Sequence, residues 1–226
     1  MKTARRYLKP VNSAAVVLSF LMLGVLPATG GEPDAVPEDP TKVQPALIGS
    51  KLPDLTLKTK TGKAFDLNKA VAETPAVIIF YRGGWCPYCN RHLAELRKIE
   101  GDLQALGYQV LAISADKPEK VATTLDKKQF AYTLLSDNDL KAAKALGIAF
   151  RVEEALFSKY KNEYGLDLEE HSGRTHHMLP VPAVFIVDSD RVIRFKYVNP
   201  DYKVRVSGEV IMAAARWVAG DHNNGN

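Results

Sequence analysis

Cys86 and Cys89 are the only cysteines in the 226-residue chain, and two residues separate them. A Cys-x-x-Cys pair has three common uses: half of a zinc site, a structural disulfide or a redox-active dithiol. A structural zinc ion usually takes four protein ligands, and no second cysteine pair exists in the sequence. A structural disulfide gains much of its effect from closing a long loop, and this loop is very short. The spacing therefore predicts a redox dithiol.

The dithiol is placed where a strand should give way to a helix. An apolar run over residues 76–81 predicts a strand covered on both faces, and apolar residues at helical spacing predict a helix over residues 90–106 that Gly107 closes. Unpaired backbone N–H groups at a helix start favour negative charge. We therefore expect Cys86 to be a nucleophilic thiolate, and Cys89, one turn later, to be the resolving thiol.

Four neighbours of the cysteines are further candidates. Pro87 suits the first turn of a helix, where it removes no helical hydrogen bond. Arg82 is a candidate for raising the positive potential at the thiols, and the alternative is a solvated charge beside a turn. Trp85 and Tyr88 are candidates for a surface that docks a partner, and the alternative for Trp85 is packing under the loop.

The sequence resembles the thioredoxin superfamily. The resemblance rests on Trp85-Cys86-Pro87-Tyr88-Cys89 after a strand and on Val181-Pro182 before a later strand. It implies that Pro182 is a cis proline facing the dithiol and that Val181 and Pro182 help to dock the backbone of a partner. Without the resemblance, Pro182 simply begins a strand, because few X-Pro bonds are cis.

A closer resemblance is to the peroxiredoxin-like branch, the alkyl hydroperoxide reductase/thiol-specific antioxidant family, over about residues 47–218. The segments that carry it are Leu52-Pro53-Asp54-Leu55-Thr56-Leu57, Gly62, Leu67, Phe80-Tyr81 and Val181-Pro182-Ala183-Val184-Phe185-Ile186-Val187-Asp188. Peroxiredoxins place a Pro seven residues, and a Thr three residues, before the peroxide-attacking Cys. In an ungapped register Arg82 takes the Pro place, Cys86 the Thr place and Cys89 the attacking place.

Two mechanisms remain open at this point. In dithiol exchange with a protein partner the nucleophile is Cys86. In peroxide reduction by the family register it is Cys89, which is oxidised to a sulfenic acid and resolved by Cys86. Neither mechanism needs a bound organic cofactor, and the expected partners are a protein dithiol, a protein disulfide or a peroxide. Because the active pair contains the only cysteines, a stable disulfide-linked dimer is not expected.

A third hypothesis is a copper chaperone. His171, His176 and His177 precede Pro182, and two thiolates with one imidazole suit copper. Copper chaperones of this fold carry a longer cysteine spacing, and loop histidines are usually solvated. We therefore predict no resident metal and keep copper binding as the alternative.

Strands and helices alternate along the chain, which predicts an α/β thioredoxin-like fold with a central mixed sheet flanked by helices. The predicted strands are residues 52–57, 65–67, 76–81, 110–114, 132–135, 183–187 and 192–197, with a sharp stop at residues 83–84 after the third. The predicted helices are residues 90–106, 118–128, 139–146, 153–168 and 205–219. The role of residues 153–177 is open among a lid, a partner-binding insert and a buttress.

The N-terminus predicts export. Residues 1–9 carry four basic side chains and no acid, an apolar run covers residues 14–26, and small residues follow, as in a signal peptide. We assign residues 1–30 to the signal peptide, 31–46 to a Pro- and acid-rich linker, 47–220 to the thioredoxin-like domain and 221–226 to a polar tail. The predicted location is periplasmic or secreted, with an uncleaved anchor as the alternative.

The charge of the chain gives no support to a nucleic-acid partner. Removing residues 1–30 removes four of the 30 basic residues and none of the 26 acidic ones, which leaves 26 of each. The sequence pI of 8.9 is therefore largely a property of the leader.

Overall fold

The computed structural model describes residues 36–128 and 132–221. The predicted signal peptide, residues 31–35 of the predicted linker and residues 222–226 of the predicted tail lie outside this part of the chain. Within it, no helix is both long and apolar enough to cross a membrane.

Seven strands form one mixed sheet in the order β2-β1-β5-β4-β3-β8-β9. They are β1 (Thr56–Lys58), β2 (Ala64–Asp66), β3 (Ala76–Tyr81), β4 (Gln109–Ser114), β5 (Thr133–Ser136), β8 (Ala183–Val187) and β9 (Ile193–Val198). β3 pairs in parallel with β4 and antiparallel with β8, and every residue of β3 is buried. The predicted thioredoxin-like α/β fold is confirmed, and the continuous apolar run of β3 follows from cover on both faces.

In the described residues, eight α-helices surround the sheet. They are α1 (Leu67–Glu73), α2 (Pro87–Leu96), α3 (Glu100–Ala105), α4 (Pro118–Lys128), α5 (Lys141–Ala145), α6 (Glu154–Tyr164), α7 (Leu168–Ser172) and α8 (Gly208–Asp221). Successive residues of β3 enter opposite cores because side chains alternate along a strand. Ile78 and Phe80 join the core under α1, α5, α6 and α7, whereas Val77, Ile79 and Tyr81 join the core under α2, α3 and α8.

The predicted helix over residues 90–106 is two helices, α2 and α3. The chain turns after Leu96, where the Ile99 N–H donates to the Leu96 carbonyl at 3.1 Å. Leu93, Leu96 and Leu103 are nevertheless buried in one core. The apolar spacing therefore continues across the turn, and spacing alone does not reveal the break.

The predicted helix over residues 153–168 is also divided. Gly165, with a φ of 61°, ends α6 in the left-handed conformation, and α7 follows. Two short strands that the sequence did not predict, β6 (Ala149–Arg151) and β7 (Met178–Pro180), pair antiparallel on either side of these helices. This small sheet joins the two ends of the α6–α7 segment.

Residues 36–46, which we assign to the linker from the sequence, make contacts with the domain. The Ala46 N–H donates to the Leu146 carbonyl at 3.0 Å, and Lys196 Nζ donates to the carbonyls of Pro45 at 3.1 Å and Ala46 at 2.8 Å. The Arg151 N–H donates to the Pro37 carbonyl. These contacts are mainly to backbone, which explains why an apolar count misses them.

Candidate active site

The two thiols lie at the start of α2, at the end of β3. Cys86 is the N-cap of α2, and its Sγ accepts a hydrogen bond from the Cys89 N–H at 3.4 Å. Pro87 occupies the first helical position, as predicted. Both thiols are free, and the two residues are 1% and 0% exposed. Only a small reactant reaches these sulfurs without some opening of the surface.

The environment separates the acidities of the two thiols. The pKa of Cys86 is lowered to about 6, mainly by the hydrogen bond from the Cys89 side chain, with help from the Cys89 N–H and the charges of Arg82 and Arg205; burial opposes these effects. The pKa of Cys89 is raised by burial and by the same hydrogen bond to Cys86. At neutral pH Cys86 is therefore the thiolate and Cys89 keeps the proton.

Arg205 contacts the second sulfur and was not among the predicted residues. Its Nη2 lies 3.4 Å from Cys89 Sγ, and its charge lowers the pKa of both thiols. Arg205 belongs to the loop of residues 199–207, between β9 and α8. Because it stands 116 residues after Cys89, no local spacing in the sequence could associate the two.

His92 holds this loop to α2. Its Nε2 lies 3.1 Å from the Val206 carbonyl, one residue after Arg205. Burial, and then the charge of Arg205, lowers the pKa of His92 to about 4. The imidazole is therefore neutral at neutral pH, and Nε2–H is the donor in this hydrogen bond.

Arg82 is buried, so the solvated alternative is wrong. Its Nη2 donates to Tyr160 Oη at 2.6 Å, and its guanidinium carbon lies 4.8 Å from the ring centre of Trp85 and 4.3 Å from that of Tyr202. None of the ion pairs in the described residues involves Arg82. The guanidinium is thus held by aromatic rings instead of a carboxylate, and its charge is free to act on Cys86.

The two candidate aromatics differ in position. Trp85 packs on Tyr160 and His171, with ring centres 6.4 and 6.3 Å away, so the α6–α7 segment buttresses the cysteine loop. Tyr88 is half-buried and meets Tyr202 edge-on at 5.6 Å. Packing accounts for Trp85, and a docking role is a closer fit for Tyr88.

The glycines before Trp85 allow close approach of neighbouring side chains. The Gly84 N–H donates to Asp116 Oδ2 at 2.7 Å, and the Gly84 carbonyl accepts from Asn90 Nδ2 at 2.8 Å. A Cβ on Gly83 would overlap the indole nitrogen of Trp85 and stand 2.8 Å from Asp116 Oδ1. Glycine is required here for space, since neither residue has a positive φ.

A small polar pocket lies behind Trp85. Arg82, Asp116 and His171 are among the residues that line it. Arg82 Nε, Asp116 Oδ1 and His171 Nδ1 are each buried without a hydrogen-bond partner. Asp116 Oδ1 and His171 Nδ1 are 3.4 Å apart but are not aligned for a hydrogen bond. Three buried polar atoms without partners are therefore close together at this end of the sheet, next to the loop that leads to Cys86.

Val181 and Pro182 connect β7 to β8. The described residues contain no cis peptide bond, so the predicted cis Pro182 is wrong. The Val181 N–H donates to the Ile148 carbonyl at 2.8 Å and the Pro182 carbonyl accepts from the Asn199 N–H at 3.2 Å, which keeps this passage in a continuous extended path. Pro182 thereby anchors the start of the loop that carries Arg205, and Val181 is tied to the residue before β6.

Two of the three histidines of the copper hypothesis have other hydrogen-bond partners, and the third, His171, packs on Trp85. His176 Nε2 lies 2.9 Å from the Asn138 carbonyl and its Nδ1 accepts from the Met178 N–H. His177 Nε2 lies 2.7 Å from Glu169 Oε1. In the described part of the chain, no three His, Cys, Asp or Glu side chains are grouped to hold a metal ion.

Comparison with known proteins gives a consistent family. Residues 48–196 match the model of the AhpC/TSA family. A putative peroxiredoxin bcp of Haemophilus influenzae is 33% identical over 106 residues, which are 47% of this chain and 68% of the relative. A putative peroxiredoxin of Mycobacterium tuberculosis is 28% identical over 170 residues, 75% of this chain and 94% of the relative.

Two further similarities bear on the fold and the chemistry. The thiol-disulfide oxidoreductase ResA of Halalkalibacterium halodurans is 25% identical over 129 residues, 57% of this chain and 70% of ResA. The structure of reduced Prx3 from Vibrio vulnificus in complex with H₂O₂ superposes with a TM-score of 0.62 at 20% identity, covering 75% of this chain and 99% of Prx3. The structural similarity supports the fold alone.

Proposed function

Because the chain belongs to the AhpC/TSA family, we propose that this thioredoxin-fold oxidoreductase is an exported thiol peroxidase in which Cys86 attacks the peroxide and Cys89 resolves the product. The observation that carries the assignment is the opposite shift of the two thiol pKa values at one helix start. Cys86 is ready as a thiolate, and Cys89 holds a proton beside it.

The reaction proceeds in two steps. The Cys86 thiolate attacks the terminal oxygen of a hydroperoxide; an S–O bond forms, the O–O bond breaks and the alcohol or water leaves after taking up a proton. Cys89 then attacks Cys86 Sγ, the S–S bond forms and water leaves. Two electrons have passed from the dithiol to the peroxide, and a dithiol partner must return them.

Burial favours a peroxide as the oxidant over a protein disulfide. Dithiol exchange brings a protein sulfur to Cys86, which is 1% exposed, in both half-reactions, so the surface must open for oxidation and again for reduction. With a peroxide as the oxidant, only the reduction by a dithiol partner needs that opening. A peroxide needs only a narrow path. The alternative in which Cys89 attacks agrees less well with its raised pKa, although Arg205 at 3.4 Å gives that sulfur a cation.

A thiol-disulfide oxidoreductase is the second candidate, because the free Cys-x-x-Cys pair with a split in acidity is also suited to dithiol exchange. Export is part of the proposal and is supported by the charge and hydropathy of residues 1–30. Mass determination of the mature N-terminus in a periplasmic fraction tests it.

The first experiment measures hydrogen peroxide consumption by the reduced protein and by Cys86→Ser and Cys89→Ser, with the disulfide followed by mass. We expect Cys86→Ser to lose the peroxide reaction and Cys89→Ser to keep the first turnover, ending as a Cys86 sulfenic acid.

The other outcomes separate the alternatives. Peroxide loss that survives Cys86→Ser but not Cys89→Ser assigns the attack to Cys89. Slow peroxide loss with fast exchange against a model disulfide, dependent on Cys86, favours the oxidoreductase. Inactivity in both assays with stoichiometric copper retained after dialysis would favour the copper-binding alternative.

A further inference from the structure

Two cations and two tyrosines form a chain of contacts that begins on α2, the helix that carries the thiols. Arg91 lies 5.8 Å from the ring centre of Tyr88, Tyr88 meets Tyr202 at 5.6 Å, and Lys203 Nζ lies 5.8 Å from the Tyr202 ring. We call these four residues the basic rim. It runs from α2, where Tyr88 is two residues after Cys86, to the loop of residues 199–207, which also carries Arg205.

The charge of the basic rim is not neutralised within the described residues. Neither Arg91 nor Lys203 takes part in any of the ion pairs there. Lys159, which lies 5.9 Å from Tyr164 in the same kind of contact, has Glu163 at 3.8 Å. Two acids lie close in sequence to these cations. Asp201 Oδ1 is engaged by the Lys203 N–H at 2.9 Å, and Glu95, one turn after Arg91 on α2, forms none of the ion pairs of the described residues.

The exposure of the basic rim suits a protein partner. Arg91 and Lys203 are exposed, the two tyrosines are half-buried, and Val204 beside them is 46% exposed. Tyrosine and arginine are enriched in protein interfaces, where they offer large rigid contacts. A peroxide is too small to contact all four residues of the basic rim. The reductant that regenerates the thiols must bind next to Cys86 and Cys89, so it can contact the rim.

We propose that the basic rim docks the acidic face of a protein dithiol that reduces the Cys86–Cys89 disulfide. This inference rests on the proposed function, which leaves that disulfide after each turnover. A partner thiolate attacks Cys86 Sγ, the S–S bond to Cys89 breaks and Cys89 leaves as a thiolate. The partner's second thiol then attacks the mixed disulfide, so that the partner is oxidised and Cys86 is released.

Charge complementarity acts mainly on the association rate, so the prediction concerns rates. The test uses two synthetic dithiol peptides with the same Cys-x-x-Cys core, one flanked by glutamates and the other by glutamines. The protein disulfide is made with diamide, and its reduction is followed by stopped-flow fluorescence. Each peptide rate is divided by its rate with 2-hydroxyethyl disulfide, which corrects for differences in thiol acidity.

We expect the acidic peptide to reduce the wild-type disulfide about tenfold faster than the neutral peptide at low salt. High salt should remove the advantage. The double variant Arg91→Glu/Lys203→Glu should lose or reverse it, whereas Lys60→Glu/Lys63→Glu, which changes two exposed lysines on the distant β1–β2 hairpin, should keep it. Dithiothreitol should reduce all three proteins at the same rate.

Equal rates of the two peptides with the wild type would overturn the proposal. It would also be overturned if both double variants lost the rate advantage of the acidic peptide to the same extent. A slower reaction of the rim variant with dithiothreitol would assign the rim to thiol packing instead. Because diamide forms the disulfide, docking is measured whether or not peroxide oxidises the thiols. Failure of the peroxide reaction is therefore recorded separately.

Discussion

Two turns at the same edge of the sheet pair their buried polar side chains to different extents. After β5, Ser136 Oγ is buried without a partner, but the two side chains that follow it are fully paired. After β5, the carboxylate of Asp137 accepts from the N–H groups of Ala142 at 3.1 Å and Ala143 at 2.9 Å. The amide of Asn138 accepts from Lys58 Nζ at 2.9 Å and donates to the Ser172 carbonyl at 3.0 Å. These side-chain groups are fully engaged in joining elements of the domain.

After β3 and β4, the buried polar groups keep unpaired atoms. Arg82 and Asp116 each make one side-chain hydrogen bond, through Nη2 and Oδ2, and each has a second atom without a partner. Tyr81 Oη, Arg82 Nε and Asp116 Oδ1 are all buried and lack a hydrogen-bond partner among the described residues. Burial, followed by the charge of Asp116, raises the pKa of Tyr81. Each such group costs roughly 1 to 3 kcal/mol of stability. The comparison teaches that the first turn is arranged for stability and the second keeps a polar interior beside the reactive thiol.

We call the turn after β3, which leads to Cys86, the reactive turn. Of the substitutions in this turn, Gly83→Ala should have the largest effect on the rate of peroxide oxidation. A Cβ there would displace Trp85 or Asp116, and with them the loop that ends at Cys86. We expect the rate constant for peroxide oxidation to fall about 100-fold, as when reacting groups are misplaced by an ångström. Stopped-flow fluorescence measures it. Gly101→Ala is the matched control, since nothing lies within 4 Å of a Cβ at that position; a Gly83→Ala rate within about twofold of wild type would break the comparison.

In the turn after β5, a substitution should change the stability of the protein and leave the reactivity of the thiol in place. Asp137→Ala removes the acceptor of two buried N–H groups at the start of α5. We expect the free energy of unfolding in urea to fall by roughly 2 to 4 kcal/mol, while the alkylation rate of Cys86 stays within about twofold. A large change in thiol reactivity with little loss of stability would show that the two turns are not separate in function.

The charge in the reactive turn should set the acidity of the thiol. In the wild type, alkylation by iodoacetamide should rise with pH through about 6 and then level, because only the thiolate reacts and the pKa of Cys86 is lowered to about 6. Arg82→Met keeps an unbranched side chain between the rings of Trp85 and Tyr202 but removes the positive charge. It should move this midpoint up by about one pH unit, or about 1.4 kcal/mol.

Arg82→Lys is the control for that prediction. It retains a cation and should recover part of the shift, although a lysine lacks the planar fork that donates to Tyr160. An unchanged or lower midpoint in Arg82→Met would show that Arg82 acts through packing alone.

The fold could be predicted well because its strongest signals are local. The continuous apolar run of β3, the hairpin around Gly62 and the helices after Cys86 and Pro118 follow from periodicity and turn residues. Two features were not predicted. One is the turn inside residues 90–106, where the apolar spacing continues, and the other is the β6–β7 pair, whose partners are 27 to 31 residues apart in sequence.

The site was predictable only in its centre. The spacing of the cysteines and their place at a helix start identified Cys86 and Cys89. Arg82 was suggested because it is close to them in sequence. The cation beside Cys89, Arg205, and the pocket acid Asp116 reach the site through tertiary packing that no local pattern encodes. The cis state expected for Pro182 was wrong, because a resemblance in sequence did not determine the path of the backbone there.

The smallest effect should come from Tyr160→Phe, and it tests on which side of the comparison the α6–α7 segment belongs. Tyr160 contributes one hydroxyl to the reactive turn, accepting from Arg82 Nη2 at 2.6 Å, while its ring packs on Trp85. Phenylalanine keeps the ring. Without the hydroxyl the guanidinium is less firmly fixed near Cys86, and the alkylation midpoint should rise by about 0.3 pH unit, less than in Arg82→Met. Tyr164→Phe, on an exposed ring of the same helix, should leave the midpoint unchanged. If Tyr160→Phe lowers only the stability and leaves the midpoint in place, α6 is a buttress and no part of the thiol chemistry; if the midpoint rises as expected, the segment helps to set the reactivity of Cys86 through Arg82.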